Sequence, residues 1–193
     1  MYAQAIVTLA LLGATTVTAF PASLSNRQAK ACFVVGNTAL PQEVADSVTS
    51  IQSSVTCDAT KKTISNVPDV TSGSTSFSSI DFSQSKSTPL QFALDTFATK
   101  TPLASTDLAT FQDMLNTYLA TEAGLRSVGG NLAIKAPKFF LQMQVSRIQT
   151  AQGNAPAAAG LQVDHLRDKV TKNAAGESKA LLDQVAAVAK QVS

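Results

Sequence analysis

The chain contains two cysteines, Cys32 and Cys57, and their spacing limits what they can do. Such a pair is a reactive redox pair, part of a metal site, or a disulfide. Redox pairs usually stand close together, as in Cys-x-x-Cys, whereas 24 residues separate these two. Zinc takes three or four ligands, and the one histidine, His165, is more than a hundred residues away. The spacing therefore favours a disulfide, if the protein enters an oxidising compartment.

The N-terminus predicts such a compartment. Residues 5–19 are uncharged and mostly Ala, Val, Leu, Ile and Thr, and Val17-Thr18-Ala19 fits a signal-peptidase site. About 15 residues are too few to span a bilayer, which takes roughly 20. The alternative is a buried N-terminal helix, since no Lys or Arg precedes the run. We predict a signal peptide over 1–19, a protein that is secreted to the extracellular space or cell wall, no transmembrane segment, and a disulfide between Cys32 and Cys57.

The rest of the chain predicts a mainly α (α+β) fold. Composition is 45% apolar and the formal charge is +2 with scattered basic residues, which argues against disorder and against a nucleic-acid-binding surface. We expect a helical bundle with a short disulfide-tied N-terminal β segment and an Ala-rich C-terminal helical extension. The predicted divisions are a flexible lead-in over 20–31, a globular domain over 32–152, a linker over 153–160 and a C-terminal helical segment over 161–193.

The first part of the globular domain combines a strand and a helix. Phe33, Val34 and Val35 predict a short strand. Pro41 suits the first turn of a helix. The apolar positions that follow fall at steps of four, three and four, which is one helical face: Val44, Val48, Ile51 and Val55.

Residues 71–88 are rich in serine and threonine, which account for 11 of the 18 residues. Residues 58–70 before them are β-branched and interrupted by turn residues, so we predict an irregular β-rich segment. Serine and threonine in such numbers also occur in O-glycosylated loops. Phe77, Ile80 and Phe82 favour a strand pair under the helices instead, because a solvated stalk would leave these side chains unpacked.

Three helical patterns follow. The first begins at Pro89, and the second is capped by Ser105 or Thr106 and carries a Glu122–Arg126 pair one turn apart. Their apolar stripes are Leu90, Leu94 and Phe97, and then Leu108, Phe111, Leu115, Tyr118, Leu119 and Leu125.

The third pattern, residues 138–151, is ambiguous. Leu141, Met143 and Val145 alternate with glutamines as in a strand, whereas Leu141, Val145 and Ile148 fit a helix. Length and the propensities of Gln and Met favour a helix.

The C-terminal segment contains two narrow amphipathic stretches. Their apolar faces are Val163, Leu166 and Val170, and then Leu181, Val185, Val188 and Val192. The opposite faces carry mixed charges, as on a solvated surface. These helices either close the bundle or form a hairpin that docks elsewhere.

The sequence offers little for catalysis. His165 is the one candidate for a Ser-His-Asp site, but it lies on a charged helix face after a linker, and a surface histidine is the better interpretation. A glycosidase needs two carboxylates, yet the chain lacks tryptophan and the usual aromatic platforms for sugar rings. We predict no catalytic, metal or cofactor-binding residues, no cofactor and no nucleic-acid partner.

One group of basic and aromatic residues is a candidate contact surface. Lys135, Lys138 and Arg147 lie near Phe139 and Phe140. If they are exposed, these side chains contact an anionic surface or a small ligand. The alternative is that the phenylalanines belong to the core and the lysines to the ordinary surface, and we favour that alternative.

Several longer strings resemble small secreted proteins of filamentous ascomycete fungi: CFVVGNTALPQEVADSV, VTCD, NTYLATEAGLRSVGGNLAIKAPKFFLQMQVSRI and NAAGESKALLDQV. The resemblance covers nearly the whole chain after the leader. It implies export, single-domain size and no assigned enzyme activity. Some small secreted fungal proteins act on a host as effectors or associate with the cell wall. The resemblance implies no functional residues.

Three functions follow as hypotheses. The first is a non-enzymatic extracellular interaction protein, an effector or wall-associated factor, whose partner is a host or cell-wall component. The second is a carrier of a small apolar ligand or lipid between helices lined by Phe92, Phe97, Phe111, Phe139, Phe140 and Met143. The third, which the sequence favours least, is a secreted hydrolase with a cleft of clustered acids.

Overall fold

The computed structural model describes residues 30–192. The predicted signal peptide and residues 20–29 of the predicted lead-in lie outside this range. Within it, six α-helices and a three-stranded antiparallel sheet make up the fold, so the prediction of a mainly α protein with a small β part is confirmed. The helices are α1 Gln42–Ile51, α2 Pro89–Thr96, α3 Leu108–Ser127, α4 Lys135–Ala151, α5 Val163–Asn173 and α6 Lys179–Ala189; the strands are β1 Val55–Lys62, β2 Pro68–Ser72 and β3 Thr75–Ser76.

The disulfide between Cys32 and Cys57 is confirmed, with 6.0 Å between the two Cα atoms. It joins the segment before α1 to strand β1, which follows α1. The helix predicted after Pro41 is also confirmed, and its apolar stripe is directed into the core through Val44 and Ile51.

The predicted strand at Phe33, Val34 and Val35 is wrong. This segment turns, because the Val34 amide donates to the Ala31 carbonyl. Phe33 then enters the core while Val35 faces solvent. The following backbone covers the C-terminal end of α3 instead of pairing with a strand: the Gly36 amide donates to the Ser127 hydroxyl at 2.9 Å, and the Thr38 amide to the Ser127 carbonyl at 3.0 Å.

The Ser/Thr-rich region contributes to the core. Strand β2 lies between β1 and β3, with Cys57 opposite Val70 and Thr71 opposite Ser76, and the pairing is irregular between Asp58 and Lys62. The segment after the sheet buries Phe77, Ile80 and Phe82. These three side chains therefore pack under the helices, as favoured, but the predicted strand pair is wrong for them, because the chain forms 3-10 turns over Phe77–Ser79 and Phe82–Gln84.

Helix α3 is the central element, since it packs against α1, β2 and α4. Its N-cap is Asp107, whose carboxylate accepts from the Ala109 amide at 3.0 Å. The prediction of Ser105 or Thr106 as the cap is wrong, because Thr106 is buried and its hydroxyl accepts from the Lys100 amide in the preceding loop. The Tyr118 hydroxyl donates to the Ile80 carbonyl at 2.7 Å, which ties α3 to the segment after the sheet.

Residues 138–151 are helical, as favoured, and belong to α4. The C-terminal helices pack on this bundle: α5 lies along α4, and Leu166, Val170 and Val185 are buried in the same core. Of the two arrangements that the sequence allowed for residues 161–192, closure of the bundle is the one observed. No helix within residues 30–192 has the length and apolar character needed to cross a membrane.

Candidate functional site

The five residues of the predicted basic and aromatic group lie on α4, but four of them are interior. Lys138, Phe139, Phe140 and Arg147 are between 1% and 5% exposed, and Lys135 is half-buried. The predicted contact with an anionic surface or a ligand required exposed side chains, and these four are not exposed. The phenylalanines are core residues, as favoured, whereas Lys138 is not an ordinary surface lysine.

Lys138 belongs to a buried ionic cluster between α3 and α4. Its ammonium lies 2.8 Å from Glu122 Oε2, and Arg126 Nη2 lies 2.9 Å from Glu122 Oε1. The predicted Glu122–Arg126 pair is therefore confirmed and gains a second cation. The ammonium also stands 3.7 Å from the ring centroid of Phe139. Burial lowers the pKa of Lys138 and outweighs the opposite effect of Glu122. The ion pairs of this cluster join α3 to α4.

Arg147 binds the segment that follows α6. Its Nε donates to the Gln191 carbonyl at 3.0 Å, and its Nη1 donates to Gln144 on the same helix. Burial lowers the pKa of Arg147 to about 10, which leaves the guanidinium charged at neutral pH. A cation near the last carbonyls of α6 is electrostatically favourable, and the contact fixes the end of the chain against α4.

A surface groove lies over α3 and α4, and we call it the amide groove. Each of the two helices contributes one stripe with the spacing i, i+3, i+4, i+7, which is a single helical face. The stripe of α3 is Gln112, Leu115, Asn116 and Leu119. The stripe of α4 is Gln142, Val145, Ser146 and Gln149. Polar and aliphatic side chains therefore alternate along the floor.

The walls of the amide groove come from both ends of the chain. Helix α1 supplies Asp46, Ser47, Ser50 and Ile51. The opposite lip consists of Pro156, from the segment predicted as a linker, with Leu161 and Leu166 from the chain around the start of α5. The open volume is about 400 Å³, within the usual range for small-molecule sites.

The polar groups of the floor differ in how far the protein satisfies them. The Asn116 amide donates to the Ser72 hydroxyl at 3.1 Å, and its carbonyl accepts from Gln112 at 3.1 Å. The Ser146 hydroxyl is buried, and no residue in the range 30–192 hydrogen-bonds it. A buried hydroxyl without a partner costs about 1–3 kcal/mol, and the Ser146 oxygen has almost no accessible surface, so it lies just beneath the floor of the groove.

A second, charged groove of about 440 Å³ adjoins the first and shares Asp46, Ser47, Gln142, Leu161 and Leu166 with it. Its further lining includes Glu43, the exposed His165 and Lys169, whose ammonium is 5.6 Å from the Phe139 ring centroid. The exposure of His165 agrees with the interpretation of a surface histidine. Among the described residues, no three His, Cys, Asp or Glu side chains cluster in a way that could hold a metal ion.

One buried acid lies apart from both grooves. Asp69 Oδ1 accepts from the Ser78 amide at 3.0 Å, and Asp69 Oδ2 is 3.2 Å from the ammonium of Lys61. Burial raises the pKa of Asp69, but the hydrogen bonds from Ser78 and Lys61 outweigh it and the net pKa is lowered. Asp69 therefore anchors the sheet as a charged carboxylate.

Sequence reasoning missed the amide groove. The available signal was the recurrence of Asn and Gln at helical spacing inside two otherwise apolar helices. On α4 those glutamines support the competing interpretation of a strand, and on α3 they indicate a solvated face. Only the packing of α1 and α5 beside the two stripes turns them into the floor of a groove.

The fold and the site define a disulfide-bonded, mainly α domain with a small antiparallel sheet and an open polar–aliphatic groove. A family described as a domain of unknown function, DUF7143, matches residues 34–193, a range that includes every helix and strand given above. The chain belongs to this family. No curated protein and no solved structure matches it.

Proposed function

We propose that this protein is a secreted, non-enzymatic interaction protein that holds its ligand in the amide groove. The observation that carries the proposal is the groove itself, an open volume of about 400 Å³ lined by neutral polar and apolar side chains with Asp46 as its one charged residue among those described. The charged side chains that the sequence made conspicuous, Lys138 and Arg147, are occupied by internal contacts. The groove is thus the best surface for a partner.

Secretion rests on two features. The apolar leader over 1–19 has a cleavage signal at its end. The disulfide between Cys32 and Cys57 suits an oxidising compartment. The resemblance to small secreted proteins of filamentous ascomycetes supports a fungal origin and a role as an effector or a cell-wall-associated factor, with a host or wall component as the partner.

The absence of enzyme activity is part of the proposal. Acid–base hydrolysis of glycosides takes two carboxylates facing one substrate, whereas the described lining of the amide groove contains one, Asp46, which is exposed on α1. The lone histidine, His165, is exposed and lines the neighbouring charged groove.

A second candidate is a carrier of a small apolar ligand, and one observation favours it. Aliphatic side chains contribute as many lining residues to the amide groove as neutral polar ones do. The groove, however, is lined by different residues from those expected for a carrier. Of that set, Phe97, Phe111, Phe140 and Met143 are buried in the core, and Phe139 lines the charged groove.

Retention from natural extracts tests the proposal. The protein, purified from culture medium and immobilised, is incubated with cell-wall fragments or host extract, and retained compounds are identified by mass spectrometry. Leu161→Arg blocks the lip of the groove, and Val128→Arg is its matched control, because the two side chains are 42% and 43% exposed and Val128 is not part of the lining. Because Leu161 also lines the charged groove, Ser50→Arg, at an exposed position that lines the amide groove and not the charged one, is tested beside it. Compounds retained by the wild type and Val128→Arg but by neither Leu161→Arg nor Ser50→Arg support the proposal. Retention no better than that of an unrelated protein of equal charge contradicts it.

A further inference from the structure

We infer that the amide groove binds an uncharged amphipathic small molecule, one with an aliphatic body and several hydroxyl or carbonyl groups. This inference rests on the proposed function and names the chemical class of its ligand. It follows from the charge of the lining, from the spacing of polar and aliphatic side chains, and from the unpartnered hydroxyl of Ser146.

The charge of the lining disfavours ions. Within the described part of the chain, no Lys, Arg or His lines the amide groove, and Asp46 is its one charged residue. An anion entering the groove would lose hydration without gaining a cation. A cation would find a single exposed carboxylate, whose attraction is weak in water. His165 and Lys169 line the adjoining charged groove instead.

The spacing of the floor selects a ligand with both kinds of group. On α3, Leu115 and Leu119 alternate with Gln112 and Asn116. One helical turn rises about 5.4 Å, so a ligand lying along α3 meets a carboxamide and an aliphatic side chain within each turn. A plain hydrocarbon chain would bury carboxamides whose hydrogen-bonding capacity the internal bonds use only in part. A small sugar alone would leave the leucine side chains exposed to water.

The carboxamides suit uncharged hydroxyl and carbonyl groups. Each Gln side chain offers two N–H donors and one carbonyl acceptor, and Gln142 and Gln149 are half-buried on the α4 stripe. Since Asn116 is already held by Gln112 and Ser72, it is a fixed part of the floor. The adaptable contacts therefore come from α4.

Ser146 lies between these two glutamines, one turn from Gln142 and three residues before Gln149. It is 2% exposed, lines the groove, and its hydroxyl is one of two buried side-chain oxygen or nitrogen atoms in residues 30–192 that have no hydrogen-bond partner. The other belongs to Thr121 on α3, which is not among the lining residues. Because the Ser146 oxygen is fully buried, a ligand hydroxyl or carbonyl reaches it only after the side chain rotates toward the groove. Serine then gains a hydrogen-bond partner, whereas alanine at position 146 would gain none.

Isothermal titration calorimetry with three related compounds, the two that form micelles being kept below their critical micelle concentrations, tests the inference. Octyl β-D-glucoside has the chain and the hydroxyls, octanoate has a similar chain with a negative charge, and methyl β-D-glucoside has the hydroxyls without the chain. We expect the octyl glucoside to bind at least about tenfold more tightly than either of the others. Leu161→Arg should abolish its binding, and the matched Val128→Arg should not.

Two further variants separate a contact with the ligand from a structural role. Ser146→Ala and Thr121→Val each remove an unpartnered buried hydroxyl, so both should keep or raise the melting temperature. Ser146→Ala alone should weaken the binding of octyl glucoside, by roughly two- to tenfold. Equal effects of the two variants on affinity would overturn the role of Ser146.

The failure of this inference differs from the failure of the proposed function. If octanoate or methyl glucoside binds as tightly as octyl glucoside, the ligand class is wrong while the groove remains a binding site. If none of the three binds, the ligand class is again wrong. Whether the groove binds any ligand is then decided by the retention experiment, which compares the wild type with Leu161→Arg.

Discussion

Replacing Glu122 with Gln tests whether the ionic cluster between α3 and α4 holds the two helices together. The substitution keeps the size of the side chain and removes the charge that faces the Lys138 ammonium at 2.8 Å and Arg126 at 2.9 Å. Arg126 is partly exposed and can turn to water. Lys138 cannot, because its side chain is 4% exposed and packed against the Phe139 ring.

The expected cost is that of one unpaired buried charge, about 3–5 kcal/mol. For a domain of this size, 1 kcal/mol shifts the melting temperature by roughly 2–4 °C. We therefore expect Glu122→Gln to melt roughly 6–20 °C below the wild type. Lys138→Met should cost less, because Glu122 then keeps Arg126. The double variant should be more stable than Glu122→Gln alone, since it removes the unpaired ammonium.

The same reasoning fixes the sign of a pH effect. Burial lowers the pKa of Lys138 in the folded protein below its ordinary value of 10.5, and Glu122 opposes this shift. Glu122→Gln should lower that pKa further. Between the folded and unfolded pKa values the unfolded chain binds more protons, so the free energy of unfolding rises with pH. Chemical denaturation from neutral pH to pH 10.5 should show a steeper rise for Glu122→Gln than for the wild type.

Circular dichroism during thermal and urea unfolding provides these quantities. Two results would refute the reasoning. One is a loss below about 1 kcal/mol for Glu122→Gln, which is the value of an exposed pair. The other is a double variant no more stable than Glu122→Gln, because the instability would then not come from the ammonium of Lys138.

Three other substitutions probe the fold. Cys57→Ser opens a loop with a sequence separation of 25 and should cost about 3.5 kcal/mol in the loop-entropy estimate; a urea midpoint equal to that of the wild type would contradict the disulfide's role. Gly36→Ala places a Cβ 1.9 Å from a backbone carbonyl at the end of α3 and should cost about 1–3 kcal/mol, whereas the control Gly160→Ala meets no atom within 4 Å and should be neutral in the same assay. Asp69→Asn removes a carboxylate of lowered pKa, whose contribution to stability is present above the unfolded pKa of 3.8 and is lost as pH falls through the folded value. The free energy of unfolding of the variant should therefore fall less steeply than that of the wild type in acid titration below about pH 4. An unchanged slope would count against the contacts of that carboxylate.

The elements that the sequence predicted well are those with one apolar face. Helix α1 is an example, because Val44 and Ile51 point inward and the opposite face is solvated. The cysteine pair is another, since two cysteines permit a single intramolecular bridge. In both cases a local pattern is sufficient, and no knowledge of neighbouring elements is required.

Helix α3 shows where local patterns fail. Its second half is buried on nearly every side, including Thr117, Thr121 and Glu122, because α1, β2 and α4 cover different faces. Polar side chains on a helix normally indicate solvent, so a sequence cannot distinguish them from polar residues that pack between helices. The burial of Lys138 escaped prediction for the same reason, as its partner Glu122 lies on another helix.

The amide groove depends on long-range packing in a similar way. Neither stripe forms a site alone, and the lip at Leu161 is set by α5 lying along α4. The segment with the composition of a linker, residues 153–160, becomes part of that lip through Pro156. Composition predicted a linker, but not the 3-10 turn Ala159–Leu161 at its end or its position beside the groove.

Two-dimensional ¹H–¹⁵N NMR of the wild-type protein, titrated with octyl β-D-glucoside, tests the central claim most directly. Side-chain amide groups give separate resonances in this spectrum. Binding in the groove is therefore observed at the side-chain amides of Gln112, Asn116, Gln142 and Gln149. We predict saturable shifts of these resonances and of the backbone amide of Ser146. Shifts confined to other surfaces, or none at saturating ligand, would contradict the claim that the amide groove binds an uncharged amphipathic ligand.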